Sequence, residues 1–587
     1  MALPVASCVL TLWIPPFSFA VIKRIRASAK KMDNIEIAEL FEQLSKFMTL
    51  HGENTFKIRS YAKAAFTIER LPQSLAKMSP EDIGQIPGIG AAINHKIATI
   101  LQTGQLPQLE QYIANTPPGI RDLMGVKGIG PKKLSVIWKE MGIETAGELL
   151  YACNEDRLTR YKGFGAKTQQ SIGKAITYYL QTQGHCLYAD GLAFSAALQS
   201  HWQKALGSDT EIIPTGALRR QDNTLSELAY VTAVPQDKIA AALPDGFRIA
   251  AQTPETLTLA GEAHPDVVLY FTSKEQIGST LFETTGNASF VQAFFQQHPQ
   301  LREQVFATEE ALFEAACALA PPPALRESPP DQVPAVASLI KPEDIRGIIH
   351  SHSTWSDGKN TLEEMALAAR DMGMEYLVIS DHSKSAGYAQ GLQVERVLAQ
   401  HQEIAALNQK LAPFKIFKSI ESDILADGAL DYDPDILATF DLVIASVHSN
   451  LKMEQDKAMQ RLLTAIANPY TTILGHPTGR LLLSREGYPI DHKKIIDACV
   501  AHQVVIEINA HPRRLDLDWH FVSYAIEQGA LLSIDPDAHS TTGMHDIRYG
   551  AYSAQKGGLS PTHNLSSFSL AAFETYIRQS KQKKSGA

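Results

Sequence analysis

From Asp33 to about Leu180, apolar positions recur at intervals of three and four, as in Ile37, Leu40, Phe41, Leu44 and Phe47, which predicts amphipathic helices separated by short glycine turns. Between about Leu187 and Ala320 the pattern is mixed, with strand-like runs at Glu227–Val234 and Val267–Thr272. Residues 321–336 hold six prolines and read as a linker or docking arm. After Lys341, apolar strand-like runs alternate with helical stretches, the pattern of parallel βα units. The chain opens on an apolar run, Val5 to Val21, followed by Lys23, Arg24, Arg26, Lys30 and Lys31. A signal peptide carries its charges before the apolar run, and Pro15 and Pro16 interrupt a helix too short to span a bilayer. Residues 1–32 are therefore expected to be a disordered upstream extension, with the functional start near Met32.

At 587 residues the chain is too long for one core. The expected fold class is multidomain α+β and α/β, with segments at 33–110, 111–184, 185–262, 263–320, a linker at 321–340 and a final domain at 341–578. The net charge of −9 does not announce a nucleic-acid binder, yet residues 33–180 carry 17 Lys and Arg against 15 Asp and Glu. Five scattered cysteines (Cys8, Cys153, Cys186, Cys317, Cys499) contain no CxxC pair, which argues against a disulfide framework and fits a reducing, cytoplasmic compartment.

Three segments share one pattern: Ile86-Pro87-Gly88-Ile89-Gly90, Val126-Lys127-Gly128-Ile129-Gly130 and Tyr161-Lys162-Gly163-Phe164-Gly165. Two glycines one residue apart free the backbone to turn sharply and present N–H groups. The helix that follows adds the positive end of its dipole. With Lys127, Lys132, Lys133, Lys162 and Lys167 around them, these turns are candidate sites for the DNA backbone, read without regard to sequence. They have the helix-hairpin-helix pattern. Residues 33–110, through Gly52-Glu53-Asn54-Thr55-Phe56-Lys57-Ile58-Arg59-Ser60-Tyr61-Ala62-Lys63 and then Ile86 to Ile97, resemble the lyase domain of X-family DNA polymerases. The resemblance implies that Lys57, Tyr61 and Lys63 hold a 5′-phosphate of gapped DNA. It implies that Lys96 forms a Schiff base with an abasic sugar, or else contacts phosphate. Ala92 stands where that family places a basic residue.

Gly216-Ala217-Leu218-Arg219-Arg220 resembles the nucleotide-binding opening of the same family's palm. The family then needs two aspartates one residue apart on a strand, where alternation puts both on one face to hold magnesium. Here those places are Glu227 and Ala229, and the third carboxylate is Asp266. The expectation is a degenerate palm and thumb kept for shape and DNA grip, needing magnesium and a dNTP only if polymerase activity survives.

In the last third, each apolar run ends in a polar residue. Ile345–Ile349 leads to His350 and His352, with Asp357 beyond. Tyr376–Ser380 leads to Asp381-His382, Ile416–Ile420 to Glu421, Leu442–Val447 to His448, Thr472–Gly475 to His476, and Val504–Ile508 to Asn509. Leu531–Ile534 leads to Asp535, Asp537 and His539. Parallel strands whose C-terminal ends converge on one mouth make a barrel with a site at its top. Mixed imidazole and carboxylate ligands suit zinc, manganese or iron. From about 341 to 575 the text resembles the PHP (polymerase and histidinol phosphatase) family, a distorted seven-stranded (β/α) barrel. The resemblance implies three divalent ions: one on His350, His352, Glu421 and Asp537, a second sharing Glu421 with His448 and His476, and a third on Asp357, His382 and His539. Glu421, Asp537 and His448 would carry the catalysis, with Arg480 and Arg514 as candidate phosphate clamps.

The order of segments is similar to bacterial X-family polymerases with an appended PHP domain. That implies a monomeric, cytoplasmic and nucleoid-associated DNA-repair hydrolase, working in base excision repair as a 3′–5′ exonuclease or abasic-site endonuclease. Its partner would be gapped, nicked or abasic DNA, with no membrane involved. A histidinol-phosphatase-like enzyme and a DNA-binding scaffold remain as alternatives.

Overall fold

The computed structural model describes residues 32–261, 265–334 and 338–585, so the expected extension before Met32 lies outside the described residues. Two compact units divide after Gln183.

The first unit is helical. Its opening helix, Asn34–His51, starts at a capping box in which Asp33 and Glu36 satisfy each other's backbone N–H groups, and it stops at Gly52 in the left-handed region (φ +81°). Its apolar stripe buries Ile37, Phe41, Leu44 and Met48 against the helix Thr55–Glu69 and the helices that follow. Two hairpins join helix to helix, Pro80–Gly84 to Ala91–Thr103 and Pro118–Leu123 to Pro131–Lys139, and the third joins the short turn Leu158–Arg160 to the helix Ala166–Thr182. The middle residues Ile89, Ile129 and Phe164 are buried and pin each turn to the core.

In the second unit, a two-residue ribbon pairs β1 (Cys186–Leu187) with β3 (Thr224–Leu225). A five-stranded sheet has the order β2-β4-β7-β6-β5, formed by β2 (Ile212–Thr215), β4 (Glu227–Thr232), β5 (Phe247–Gln252), β6 (Thr256–Gly261) and β7 (Asp266–Phe271). Strands β4 and β7 run parallel, with Glu227 opposite Asp266. Helices Ile277–Thr285, Ala288–Gln297 and Glu309–Ala315 then close around Phe282, which meets Phe290, Phe294, Phe295 and Phe313 at ring distances of 4.6–6.0 Å.

The proline-rich segment differs from a free linker. Residues 321–334 form two tight turns, Pro323–Leu325 and Pro330–Gln332. Between them Arg326 is buried and pairs with Glu309 at 2.5 Å. Glu327 accepts from Arg220 at 2.8 Å and also pairs with the buried Lys556, which reaches Asp222 at 2.5 Å. Prolines lower the entropy lost on ordering, and a buried charge pair locks the segment onto both neighbours. Proline content reads alike for a loose linker and for such a strap.

The last domain is an all-parallel sheet in sequential order: β8 (Gly347–Ser351), β9 (Tyr376–Ile379), β10 (Lys415–Asp423), β11 (Leu442–Ser446), β12 (Ile473–Leu474), β13 (Val505–Asn509) and β14 (Leu532–Asp535). A bridge from Ser351 to Ala538 brings its two edges together. Alternation divides each strand between two environments. Ile348, Leu377, Ile416, Val443 and Ile506 pack outward under the helices. Ile349, Tyr376, Val378, Phe417, Ile444 and Val505 pack with Phe573 and Ile577 of the terminal helix Leu570–Ser585. Phe573 stacks on Tyr376 at 4.4 Å and meets Phe417 edge-on at 4.9 Å. That second face is apolar where the strands begin and polar where they end.

Candidate metal centre and nucleic-acid interface

Glu421 lies near the end of β10 on the same face as Phe417, two alternations further along. Its carboxylate is buried and faces five imidazoles: His448 Nε2, His476 Nε2 and His382 Nδ1 at 3.0 Å, His350 Nε2 at 3.3 Å and His352 Nε2 at 3.6 Å. Asp537 stands 3.1 Å from His352 and 3.5 Å from His350. Asp357 stands 3.6 Å from His382 and 3.5 Å from His539. All nine residues proposed from strand ends therefore converge. Their grouping differs in detail from the one implied by resemblance, because His352 also joins Asp357, His382 and His539, while His382 joins Glu421 and His448.

This donor set fits divalent metal ions. His350 Nε2, His382 Nδ1 and Glu421 Oε2 are buried polar atoms without a hydrogen-bond partner, a costly arrangement unless a cation completes it. Carboxylates also fix the imidazoles from behind. His350 Nδ1 donates to Glu507 at 2.5 Å, and His448 Nδ1 donates to Asp423 at 2.5 Å, which leaves each Nε2 aimed at Glu421. Burial alone would push the His350 imidazole down, but Glu507, Glu421 and Asp537 outweigh it and hold its pKa well above the usual range. Burial likewise opposes the charge on Glu421, and the imidazoles of His448, His350 and His382 overcome it, holding the carboxyl well below its usual range. Burial, with His539 and His382 adjacent, pushes His352 down to about 3. On taking up a cation, imidazoles held in this way would release protons.

Three of the nine residues have left-handed backbones: His350 at φ +59°, His476 at φ +24° and Asp537 at φ +51°. Non-glycine residues adopt this region at a cost that the surrounding packing must meet, and such strain gathers at functional sites. At His350 it coincides with a register shift in the β8–β9 pairing.

Glu507 and Asp423 were not singled out from sequence, although each shares a strand face with a residue that was. Asp381, which precedes His382, accepts from the backbone and hydroxyls of Ser353 and Ser356 and from Gln400. It braces the turn leading to Asp357. The two arginines separate. Arg514 Nε lies 3.5 Å from Asp537, at the edge of the cluster. Arg480 does not: it donates to the carbonyls of Arg514 and Leu515 and pairs with Asp518, so its guanidinium is committed to the loop that carries Arg514. The expected clamp at Arg480 is a brace, a distinction the sequence cannot make.

On β4, Glu227 faces Asp266 of β7, and burial followed by that neighbouring charge raises its pKa. Ala229 is buried beneath the Gly216 turn. Arg219 pairs with Glu309 at 2.5 Å, and Arg220 pairs with Glu327 and Asp222.

The three hairpins share one backbone. Gly88, Gly128 and Gly163 have φ of +96°, +102° and +92°, and the second glycine of each pair, Gly90, Gly130 and Gly165, begins a helix in extended geometry with no side-chain cap. A Cβ added at Gly90, Gly130 or Gly165 would meet nothing within 4 Å. Neither conformation nor internal packing requires glycine there, so its use points to close approach from outside, as a phosphate would need. Lys63 lies against Gly88, with its Cε 3.4 Å from where a Cβ would stand, and Lys96 Nζ sits 5.9 Å from the ring centre of the buried Tyr61. Lys57 is exposed and 3.7 Å from Glu53. Valine at Gly90, Gly130 and Gly165 is expected to shift the thermal midpoint by only a few degrees. It should weaken DNA binding roughly tenfold per hairpin, equally for all sequences. Fluorescence anisotropy on two unrelated duplexes checks this, and unchanged affinity would count against the hairpins as the contact.

Family models agree with this division. A helix-hairpin-helix domain matches residues 32–106, a SAM-like helix-hairpin-helix tandem matches 120–176, and a PHP domain matches 349–511. Among curated proteins, a probable phosphatase of Thermoanaerobacter sp. (strain X514) is 27% identical over 251 residues, covering 40% of this chain and 96% of the relative. The probable phosphatase YcdX of Escherichia coli is 26% identical over 214 residues, 34% of this chain and 80% of the relative. The DNA polymerase/3′-5′ exonuclease PolX of Bacillus subtilis is 32% identical over 574 residues, covering 93% of this chain and all of the relative. With both hairpin regions, the intervening sheet and the histidine-rich barrel in one matching order, the chain belongs to the bacterial PolX family of X-family DNA polymerases with a C-terminal PHP domain.

Proposed function

We propose that this protein is a metal-dependent phosphodiesterase that shortens DNA from the 3′ end at the barrel, while the helical unit grips the DNA backbone. The observation that carries the reading is the buried Glu421 carboxylate ringed by five imidazoles at 3.0–3.6 Å. Divalent ions, of zinc, manganese or iron type, would be held by His350, His352, Asp357, His382, Glu421, His448, His476, Asp537 and His539. Such ions would supply Lewis-acid polarisation of the phosphate and activation of water at neutral pH. The chain's own groups do the rest. Glu507 and Asp423 fix the tautomers of His350 and His448, Asp381 braces the turn before Asp357, and Arg514 meets the phosphate charge. Lys57, Tyr61, Lys63 and Lys96, with the hairpin glycines and Lys132, Lys133 and Lys167, are the proposed DNA-binding set. The open hairpins favour DNA over a small phosphomonoester.

The test is a gapped duplex labelled on the primer, incubated with manganese, with and without dNTPs. Shortening that stops on chelation and persists in Asp266→Ala is expected. Extension, or shortening lost equally in Asp266→Ala with an intact fold, would move the chemistry to the central sheet. Hydrolysis of phosphomonoesters alone would make the protein a small-molecule phosphatase.

A further inference from the structure

The mouth of the metal centre carries an aromatic ring that the machinery above leaves unused. Tyr388 is 63% exposed. Its ring centre lies 5.9 Å from that of His382 and 6.4 Å from that of His448, so it borders two of the proposed ligands directly. It is also held in place. Residues Gly387–Ala389 form a single tight turn, anchored by Ala386 just before it and Ala389 at its end, both fully buried. Just before it, Ser385 donates its backbone N–H to Asp431 at 2.6 Å and its hydroxyl to Asp423 at 2.8 Å, the same Asp423 that fixes His448. Just after it, Arg396 donates to the Gln390 carbonyl at 2.7 Å and lies 5.7 Å over Trp355. A ring kept exposed by buried residues on both sides is a surface prepared in advance, and little entropy is lost when a ligand covers it.

We propose that Tyr388 is the stacking platform for the base of the 3′-terminal nucleotide, and that it selects a base-bearing DNA end over a phosphate ester that has none. The inference rests on the reading of the barrel as a 3′-end hydrolase. With the scissile phosphate at the ligands beside Arg514, the base of the same nucleotide comes within reach of the Tyr388 ring. Every base has a π-face, so such a platform binds nucleotides without choosing among them, as a shortening enzyme requires.

Two measurements on the full chain test it. The first compares removal of a normal 3′-terminal nucleotide with removal of an abasic tetrahydrofuran residue from otherwise identical oligonucleotides in manganese. The wild type is expected to prefer the base-bearing end roughly 5- to 100-fold. Tyr388→Leu should collapse that ratio toward one by slowing the base-bearing end alone, and Tyr388→Phe should keep it, with bound metal and thermal midpoint unchanged in both variants. An equal ratio in wild type and Tyr388→Leu overturns the proposal. The second uses a primer ending in 2-aminopurine joined through a cleavage-resistant phosphorothioate, with manganese present so that the end is seated but not removed. Quenching by wild type and Tyr388→Phe, lost in Tyr388→Leu, supports stacking, and quenching unchanged in Tyr388→Leu excludes it. If the wild type shortens neither oligonucleotide, the hydrolase reading fails, and the fluorescence still reports on Tyr388 by itself.

Discussion

Replacing Glu421 by glutamine is expected to lower 3′ shortening by roughly three orders of magnitude while leaving the barrel folded. Five imidazoles approach this one carboxylate, and its second oxygen is buried without a hydrogen-bond partner. Glutamine keeps the shape but removes the charge that would hold cations at this point, a loss worth several kcal/mol of transition-state stabilisation. Bound metal measured by plasma emission should fall together with activity, and circular dichroism should not change. Glu507→Gln provides the graded comparison. Glu507 acts only through His350, so a loss of about 10- to 100-fold is expected, recoverable in part by added metal. Full activity and full metal content in Glu421→Gln would remove Glu421 from the centre.

The strand ends were legible because a parallel barrel repeats one rule: an apolar run, then a polar residue at the mouth. His350, Glu421, His448 and His476 follow it directly. The carboxylates behind them follow the same period of two. Asp423 shares the face of Glu421 on β10, and Glu507 shares that of Asn509 on β13, so counting alternate residues would have found both. Other features lie beyond such counting. His350, His476 and Asp537 stand at or just past run ends, but the left-handed backbones through which they reach the centre are not foreseen by strand periodicity. Arg480 and Arg514 look alike in the chain, and only the loop carbonyls that capture Arg480 tell them apart. The strap at 321–334 is held by Arg326 and Glu327, whose partners Glu309, Arg220 and Lys556 are distant in sequence. Tyr388 stands in a polar loop whose text gives no sign that it borders the centre.

Primer extension is expected to be absent or weaker than that of an intact two-metal palm by orders of magnitude, and Ala229 is the reason. Nucleotidyl transfer needs carboxylates that touch both cations, and on β4 only Glu227 is available beside Asp266 on β7. Asp222, the nearest carboxylate that could compensate, is tied to Lys556 at 2.5 Å and to Arg220 at 3.0 Å, inside the network that joins the central sheet to the barrel helix Ile547–Lys556. Freeing it would leave the buried Lys556 ammonium with one carboxylate fewer, a change that costs several kcal/mol for buried pairs. The two arginines of the nucleotide-binding opening are similarly engaged, Arg219 by Glu309 and Thr285, and Arg220 by Glu327 and the Thr285 carbonyl. A triphosphate would have to break these pairs to bind. Restoring one carboxylate is therefore not expected to restore full activity. Ala229 is buried under the Gly216 turn, which passes close enough that a Cβ on Gly216 would stand 3.3 Å from its methyl group, so an aspartate there enters a crowded site. The comparison is gap filling by the wild type, Ala229→Asp and Ala229→Asp with Glu227→Asp, all carrying His350→Ala and His352→Ala to silence shortening. Extension confined to the repaired variants would mark the sheet as a polymerase palm retained for holding DNA. Robust extension by the unrepaired chain that survives Glu227→Ala with Asp266→Ala would place the polymerase site elsewhere.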